Sequence, residues 1–144
     1  MIKIKNVDHV GIRVADEERA LKFYEVLGFK FFWRATGDAV VKIKNDVDVE
    51  INLVVNGNDD QGGKNILMDV PEKIPGYTHV AWNVESLKQT METLAENGIE
   101  IRQGPVVFSS GHVSIFIRDP DLNVIELRGD DQDAKELGAE EYIP

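Results

Sequence analysis

Apolar and polar residues alternate along short stretches of the chain, which is the pattern of β-strands with one buried face. Near the start, Val10, Ile12 and Val14 fall on one face, while Gly11 and Arg13 fall on the other. The same alternation predicts strands at 29–34, 38–44, 47–55, 77–84, 99–107, 112–118 and 123–128. We therefore expect sheets with one packed face and one partly polar face.

Two stretches show the helical spacing of apolar residues instead, and each has a start and a stop signal. Asp16 and Ser86 are good N-cap residues, and Ser86 reads as a capping box with Gln89. Gly28 and Gly98 suit the left-handed residue that closes a helix. The apolar stripes are Ala20, Leu21, Tyr24 and Leu27 in the first helix and Leu87, Met91, Leu94 and Ala95 in the second.

The order of these elements repeats, which predicts two tandem modules in a single domain. His9 and His79 open the two halves 70 residues apart, and the glycines that close the helices, Gly28 and Gly98, have the same spacing. Each half reads β-α-β-β-β. The predicted boundaries within 1–144 are a first module at 5–56, a linker at 57–76, a second module at 77–128 and an acidic tail at 129–144.

Composition narrows the function classes. The chain has 144 residues with 16 Lys plus Arg against 26 Asp plus Glu, so its formal net charge is −10. That charge disfavours nucleic acid and anionic membrane surfaces as partners, because both attract basic residues. No apolar run approaches the ~18 residues of a membrane helix, and the start lacks a signal-peptide core, so we expect a cytoplasmic protein. There is no Cys, so any metal would have nitrogen and oxygen ligands.

Four side chains stand out on the partly polar faces of the predicted strands. His9 and His79 occupy matching positions in the two halves, and Glu50 and Glu126 lie on the polar face of each half's last strand. The glutamates are 126 − 50 = 76 residues apart. A loop six residues longer in the second half would explain why this spacing exceeds that of the histidines. A polar strand face is ordinarily a solvated surface, but this repetition favours a site.

Paired β-α-β-β-β modules with His, Glu, His and Glu in that order resemble the vicinal oxygen chelate superfamily. This superfamily includes glyoxalase I, extradiol dioxygenases, methylmalonyl-CoA epimerase, and fosfomycin and bleomycin resistance proteins. The resemblance covers about residues 5–128, and its motifs are at 8–14, 49–51, 78–80, 119–121 and 124–127. It implies an α+β fold in which two tandem βαβββ modules form a curved mixed sheet cup.

The resemblance to glyoxalase I implies that His9, Glu50, His79 and Glu126 hold one divalent metal ion, because that enzyme has a ligand at all four positions. Nickel, cobalt or zinc is expected, with manganese or iron(II) also compatible with mixed nitrogen and oxygen donors. Glu126 would be both ligand and catalytic base, and a second acid/base role is open to Glu50. The implied reaction converts a thiol–2-oxoaldehyde hemithioacetal to a 2-hydroxyacyl thioester through an enediolate.

Two arginines resemble positions that bind substrate in glyoxalase I. Arg13 lies four residues after His9 and matches an arginine that contacts a glutathione carboxylate. Arg102, just before Gly104-Pro105-Val106, resembles a second such position. These residues imply an anionic small-molecule substrate, for which a glutathione hemithioacetal is the candidate.

Other residues near the predicted site depart from the glyoxalase I pattern. That enzyme has an asparagine four residues after its second ligand, where this chain has Val54. Asn52 lies on the same face and is the candidate substitute. His112 and Ser114 are expected to line the substrate pocket, although the run around His112 is not typical of glyoxalase I.

Two other function classes remain open. One is a different metalloenzyme of the same superfamily, such as a dioxygenase or an epimerase. The other is a non-catalytic protein that binds or sequesters a small molecule. The resemblance to glyoxalase I favours a homodimer with sites at the subunit interface.

Overall fold

A computed structural model of the chain describes residues 1–58, 63–109 and 111–144. The chain forms two compact units, Met1–Gly63 and Lys64–Pro144. Residues 59–62, within the predicted linker, lie outside the described part. No helix in the described ranges is long and apolar enough to cross a membrane.

The first unit is one β-α-β-β-β module. Its elements are β1 (Val10–Arg13), α1 (Glu17–Val26), β2 (Lys30–Arg34), β3 (Val40–Lys44) and β4 (Glu50–Val54). The four strands lie in the order β1-β4-β3-β2, with β1 parallel to β4 and the other neighbours antiparallel. The first and last strands of the module are therefore neighbours, which brings the residues at their starts together.

The second unit repeats this module and extends it. Its elements are β5 (His79–Asn83), α2 (Leu87–Glu96), β6 (Gln103–Val107), β7 (Val113–Arg118), β8 (Val124–Arg128), α3 (Asp131–Leu137) and β9 (Glu140–Glu141). The sheet order is β5-β8-β7-β6-β9, with β5 parallel to β8. These mixed sheets confirm the predicted α+β class.

The helix boundaries follow from the predicted caps. The side chain of Asp16 accepts a hydrogen bond from the Arg19 backbone N–H, and that of Ser86 accepts one from Gln89. The glycine after each helix has a positive φ, +93° at Gly28 and +67° at Gly98. A residue with a side chain adopts this conformation only at a cost in free energy.

The cores follow the predicted alternation along the strands. In β4, Ile51 and Leu53 are buried, whereas Glu50, Asn52 and Val54 between them are half-buried. Each buried aliphatic side chain stabilises the fold by about 1.5–3 kcal/mol. Other large, fully buried side chains are Val14, Tyr24, Val41 and Ile43 in the first unit and Leu87, Leu94, Val113, Ile115, Ile117 and Ile125 in the second.

Two segments differ from what alternation predicts. In β2, Phe31 and Trp33 expose about half of their surface although they share the parity of buried Phe29, and the pairing with β3 has a bulge between them. The acidic tail forms α3 and β9, and β9 pairs with β6. Within the tail Asp133 is buried and accepts a hydrogen bond from the Leu87 backbone N–H, so the tail packs onto the second unit.

Candidate functional site

The second unit brings one histidine and one glutamate into direct contact. His79 begins β5, and Glu126 lies in the middle of the parallel neighbour β8. His79 is opposite Val124, and Ala81 is opposite Glu126, so the two site residues are diagonal neighbours. His79 Nε2 lies 3.1 Å from Glu126 Oε2. The expected pairing of His79 with Glu126 is therefore present within one sheet.

The other oxygen of Glu126 is held by a residue of the neighbouring strand β7 and approached by one of its own strand. Ser114 Oγ donates a 2.7 Å hydrogen bond to Glu126 Oε1, and Arg128 Nε lies 3.6 Å from the same oxygen. Ser114 is fully buried and Glu126 is 9% exposed. A buried carboxylate needs such partners because it has lost most of its water. Ser114, predicted to line the pocket, is directed at Glu126.

The remaining nitrogen of His79 also has a partner. Thr78 Oγ1 lies 2.8 Å from His79 Nδ1, and the ring of Phe116 meets the imidazole edge-on at 5.8 Å between centroids. Phe116 is also the residue opposite Glu126 on β7. These contacts orient the imidazole with Nε2 toward the carboxylate.

The first unit gathers a different set around its histidine. His9 immediately precedes β1, and because Val10 is opposite Ile51, His9 stands across from Glu50. Asp8 Oδ2 lies 2.7 Å from His9 Nδ1. One potential ligand atom from each of Asp8, His9 and Glu50 lies within 4.8 Å of the others. Sequence reasoning missed Asp8, although its adjacency to His9 was visible.

The strand registers show that Glu50 and Glu126 are not at equivalent positions. Glu126 is opposite Ala81 and Phe116, whereas the residue opposite the corresponding Gly11 and Lys42 is Asn52. The offset between equivalent positions is 126 − 52 = 74, so the predicted six-residue loop difference is wrong. Glu50 therefore corresponds to Val124, two residues earlier on the same face.

Asn52 carries an unsatisfied oxygen. Its Oδ1 is buried, and none of the described residues donates a hydrogen bond to it. Four residues later, Asn56 Oδ1 accepts a 3.1 Å hydrogen bond from Arg13 Nε. The predicted substrate contact Arg13 thus meets an asparagine at the spacing expected from glyoxalase I, counted from Asn52 rather than from Glu50.

Two further predicted substrate contacts lie in the second unit. His112 precedes β7 and is half-buried, and within the described residues its Nδ1 is buried without a hydrogen-bond partner. Arg102 is exposed, and its Nε lies 3.4 Å from Glu100 Oε2. Its backbone N–H donates to Phe116 O at 2.8 Å. Arg102 is therefore anchored to β7 through its backbone.

The segment before β5 is tied to the second sheet by an ion pair. Arg118 donates to both carboxylate oxygens of Asp69, at 3.0 and 2.8 Å, and to the Leu122 carbonyl at 3.0 Å. The hydrogen bond from Arg118 is the main reason why the pKa of Asp69 lies below its usual range. Arg118 therefore joins Asp69 to the turn between β7 and β8.

The donors fit a divalent metal ion. Cis ligands at bond lengths of ~2.1 Å are about 3 Å apart, and His79 Nε2 and Glu126 Oε2 have that separation. Without a metal the same distance suits a hydrogen bond. In the first unit, the tautomer in which His9 Nδ1–H donates a hydrogen bond to Asp8 Oδ2 leaves Nε2 with its lone pair available to a cation.

Comparison with known proteins identifies the family of this fold. A family model described as "Glyoxalase/Bleomycin resistance protein/Dioxygenase superfamily" matches residues 6–127. A curated relative, the glyoxalase domain-containing protein RDO1 of Mycosarcoma maydis, is 28% identical over 138 residues, which are 93% of this chain and 73% of that protein.

Solved structures show the same fold. A glyoxalase family protein from Enterococcus faecalis superposes with a TM-score of 0.71 at 25% identity, over 86% of this chain and 97% of that one. An antibiotic-binding protein from Streptomyces sp. CB03234 has a TM-score of 0.65 at 22% identity, over 90% and 99% of the two chains, and shows likeness of fold alone. The matched residues include both modules, so the chain belongs to the Glyoxalase/Bleomycin resistance protein/Dioxygenase superfamily.

Proposed function

We propose that this chain is a metal-dependent lyase of the glyoxalase I type, which converts a hemithioacetal of a thiol and a 2-oxoaldehyde to a 2-hydroxyacyl thioester. The observation that carries the proposal is the His79–Glu126 pair, in which Ser114 holds one oxygen of the buried carboxylate and leaves the other beside the imidazole. Such preorganisation is typical of a group that moves a proton.

The ion's ligands in this proposal are His9, His79 and Glu126, with a fourth oxygen from β4, for which the resemblance implies Glu50. A divalent nickel, cobalt or zinc ion supplies Lewis-acid stabilisation of negative charge on two neighbouring substrate oxygens. That one ion joins donors from both units, within one chain or between the two chains of a homodimer, is part of the proposal.

The chain's own groups account for the proton transfer. Glu126 Oε2 takes the proton from the carbon that bears sulfur and oxygen, and returns it to the neighbouring carbon. Ser114 keeps Oε1 engaged, so that the basic oxygen does not rotate away. Arg13, fixed by Asn56, provides positive charge for a substrate carboxylate.

Metal titration of chelator-stripped protein is the first test. We expect one ion per chain from the series nickel, cobalt, zinc, manganese and iron(II), and loss of that ion in both His9→Ala and His79→Ala. Two ions per chain, one lost in each variant, would contradict a shared site. Absence of saturable binding would overturn the metalloenzyme proposal.

The catalytic role of Glu126 requires an activity measurement. With a glutathione hemithioacetal as substrate, we expect Glu126→Gln to lower kcat by about 10²–10⁴-fold, the contribution of a positioned general base. The variant is assayed with saturating metal, and its metal content is measured alongside. Full activity with metal bound would refute the assignment of Glu126 as the base.

A non-catalytic binding protein is the second candidate. Phe31 and Trp33 expose about half of their surface on β2, and Lys42 Nζ lies 4.8 Å from the Trp33 ring centroid. Exposed rings of this kind offer a stacking surface for a planar ligand. Tight binding of an aromatic small molecule by metal-free protein, without turnover, would favour this function.

A further inference from the structure

The equivalence between the two modules extends to the neighbours of the site carboxylate. Ser114 is opposite Arg128, and the corresponding residues of the first unit, at the same offset of 74, are Val40 and Val54. The hydroxyl and guanidinium that approach Glu126 are therefore replaced by two aliphatic side chains. A carboxylate at position 52 would have neither partner.

Asn52 fits these aliphatic neighbours better than a glutamate would. A neutral amide is less costly to desolvate than a carboxylate, so it tolerates a place where Val40 stands in for a serine. Because Val40 replaces the serine hydroxyl, Asn52 Oδ1 has no hydrogen-bond donor in the described part of the chain. A buried acceptor without a partner destabilises the folded state. The presence of Asn52 therefore favours a role in binding rather than in stability.

The position of Asn52 on the sheet points to that role. Asn52 lies opposite Gly11, and His9 is two residues before Gly11, so His9 and Asn52 are diagonal neighbours on parallel strands. His79 and Glu126 have the same diagonal relation, and their side chains meet at 3.1 Å. Glu50 stands directly across from His9, in the register position that Val124 has in the second unit.

We infer that Asn52, through its amide Oδ1, is the oxygen donor that the first unit contributes to the metal site, in the place that resemblance implies for Glu50. The inference rests on the proposed function and names its fourth ligand. Glu50 and Asp8 are then acidic neighbours of His9 and not metal ligands. With neutral imidazoles, the donor set has one carboxylate instead of two, so a bound divalent ion keeps a net charge of +1.

The charge of +1 affects which substrate oxygens the site binds most strongly. A site with net positive charge binds an anionic pair of neighbouring oxygens more strongly than a neutral pair. Glu126 is also left as the one carboxylate among the four donors, so a single base serves both proton transfers. Both consequences follow from replacing one carboxylate by an amide.

The test compares nickel affinity of the full chain by calorimetry in matched variants. We expect Asn52→Leu, which removes the oxygen and keeps the shape, to weaken nickel binding at least tenfold. Glu50→Gln should weaken it by about two- to fivefold, the effect of a nearby solvated charge. Asn52→Asp, which restores an oxygen, should bind nickel at least as tightly as the parent chain. Exposed Glu96 in α2 provides a control in Glu96→Gln, with no change expected.

Thermal unfolding of the metal-free variants gives a second readout. Asn52→Leu removes an unsatisfied buried acceptor, so its Tm should rise by about 2–4 °C while metal affinity falls. A larger loss of nickel affinity in Glu50→Gln than in Asn52→Leu would overturn the inference and leave the proposed function intact. A parent chain that binds no metal would overturn the proposed function, and the inference with it.

Discussion

The two modules share a strand order but differ in how completely their site residues are satisfied. In the second unit, Glu126 has partners on both carboxylate oxygens and is nearly buried. In the first unit, the equivalent Asn52 has an oxygen without a partner in the described residues. The two modules therefore share a fold but place different functional groups at the equivalent positions 52 and 126. The neighbouring strand has Ser114 in one sheet and Val40 at the equivalent position in the other. Only the serine offers a hydrogen bond to a carboxylate on the adjacent strand.

The histidines differ in the same way. His9 Nδ1 meets the carboxylate of Asp8, whereas His79 Nδ1 meets the hydroxyl of Thr78. A carboxylate raises the basicity of an imidazole more than a hydroxyl does, and fixes which nitrogen carries the proton. The first unit thus combines a histidine held by a carboxylate with a neutral amide at position 52. The second unit combines a histidine held by a hydroxyl with a carboxylate at position 126.

Removing the hydroxyl that supports Glu126 should have the largest effect on this comparison. Ser114→Ala is expected to weaken metal binding by about 10–100-fold and to lower stability by about 1.5–3 kcal/mol, because the bond goes to a charged group in a buried place. Titration calorimetry and urea unfolding measure the two quantities. The matched control is Val40→Ala at the equivalent position, which should change metal affinity by less than about twofold. Equal losses of affinity in the two variants would contradict the asymmetry.

An intermediate effect is expected from the residues that hold the histidines. Asp8→Asn should reduce metal affinity by about three- to tenfold, and Thr78→Val by less, since a charged partner supports an imidazole more strongly than a neutral one. Titration calorimetry with nickel on the chelator-stripped variants measures the two losses. An equal loss of affinity in Asp8→Asn and Thr78→Val would count against the carboxylate as the source of the difference.

The smallest effect concerns acid stability and lies outside the donor set. The pKa of Asp69 is lowered in the folded chain, mainly by its hydrogen bond from Arg118. The pair therefore stabilises the fold above about pH 4, and this contribution is lost as pH falls through the lower folded pKa. Asp69→Asn should reduce Tm slightly at pH 7 and leave Tm at pH 2.5 almost unchanged. An equal reduction at both pH values would exclude the ion pair as the cause.

Much of the fold was predictable because its signals are local. Asp16 and Ser86 begin their helices as predicted, and the spacing of His9 and His79 correctly indicated a duplicated module. Bulges are not local signals of this kind. The irregularity between Phe31 and Trp33 depends on pairing with β3, so alternation along β2 alone does not indicate it.

The site was less predictable for a geometric reason. Side chains on a strand alternate with a period of two, so a shift of two residues keeps every side chain on the same face. Alternation therefore identifies the polar face of β4 but does not distinguish Glu50 from Asn52 as the counterpart of Glu126. The distinction needs the pairing between strands, which depends on turn length. The contact of Ser114 with Glu126 was hidden for the same reason.

The tail has a consequence for how the chain behaves at high concentration. An unpaired strand edge is a template on which other chains can add, and proteins that avoid aggregation cover or charge such edges. Here β9 pairs with β6 and places Glu140 and Glu141 along the border of the second sheet. Another β-strand approaching that border meets two negative charges. The acidic residues of this region therefore disfavour pairing between the sheets of two chains at the edge that lies farthest from β5.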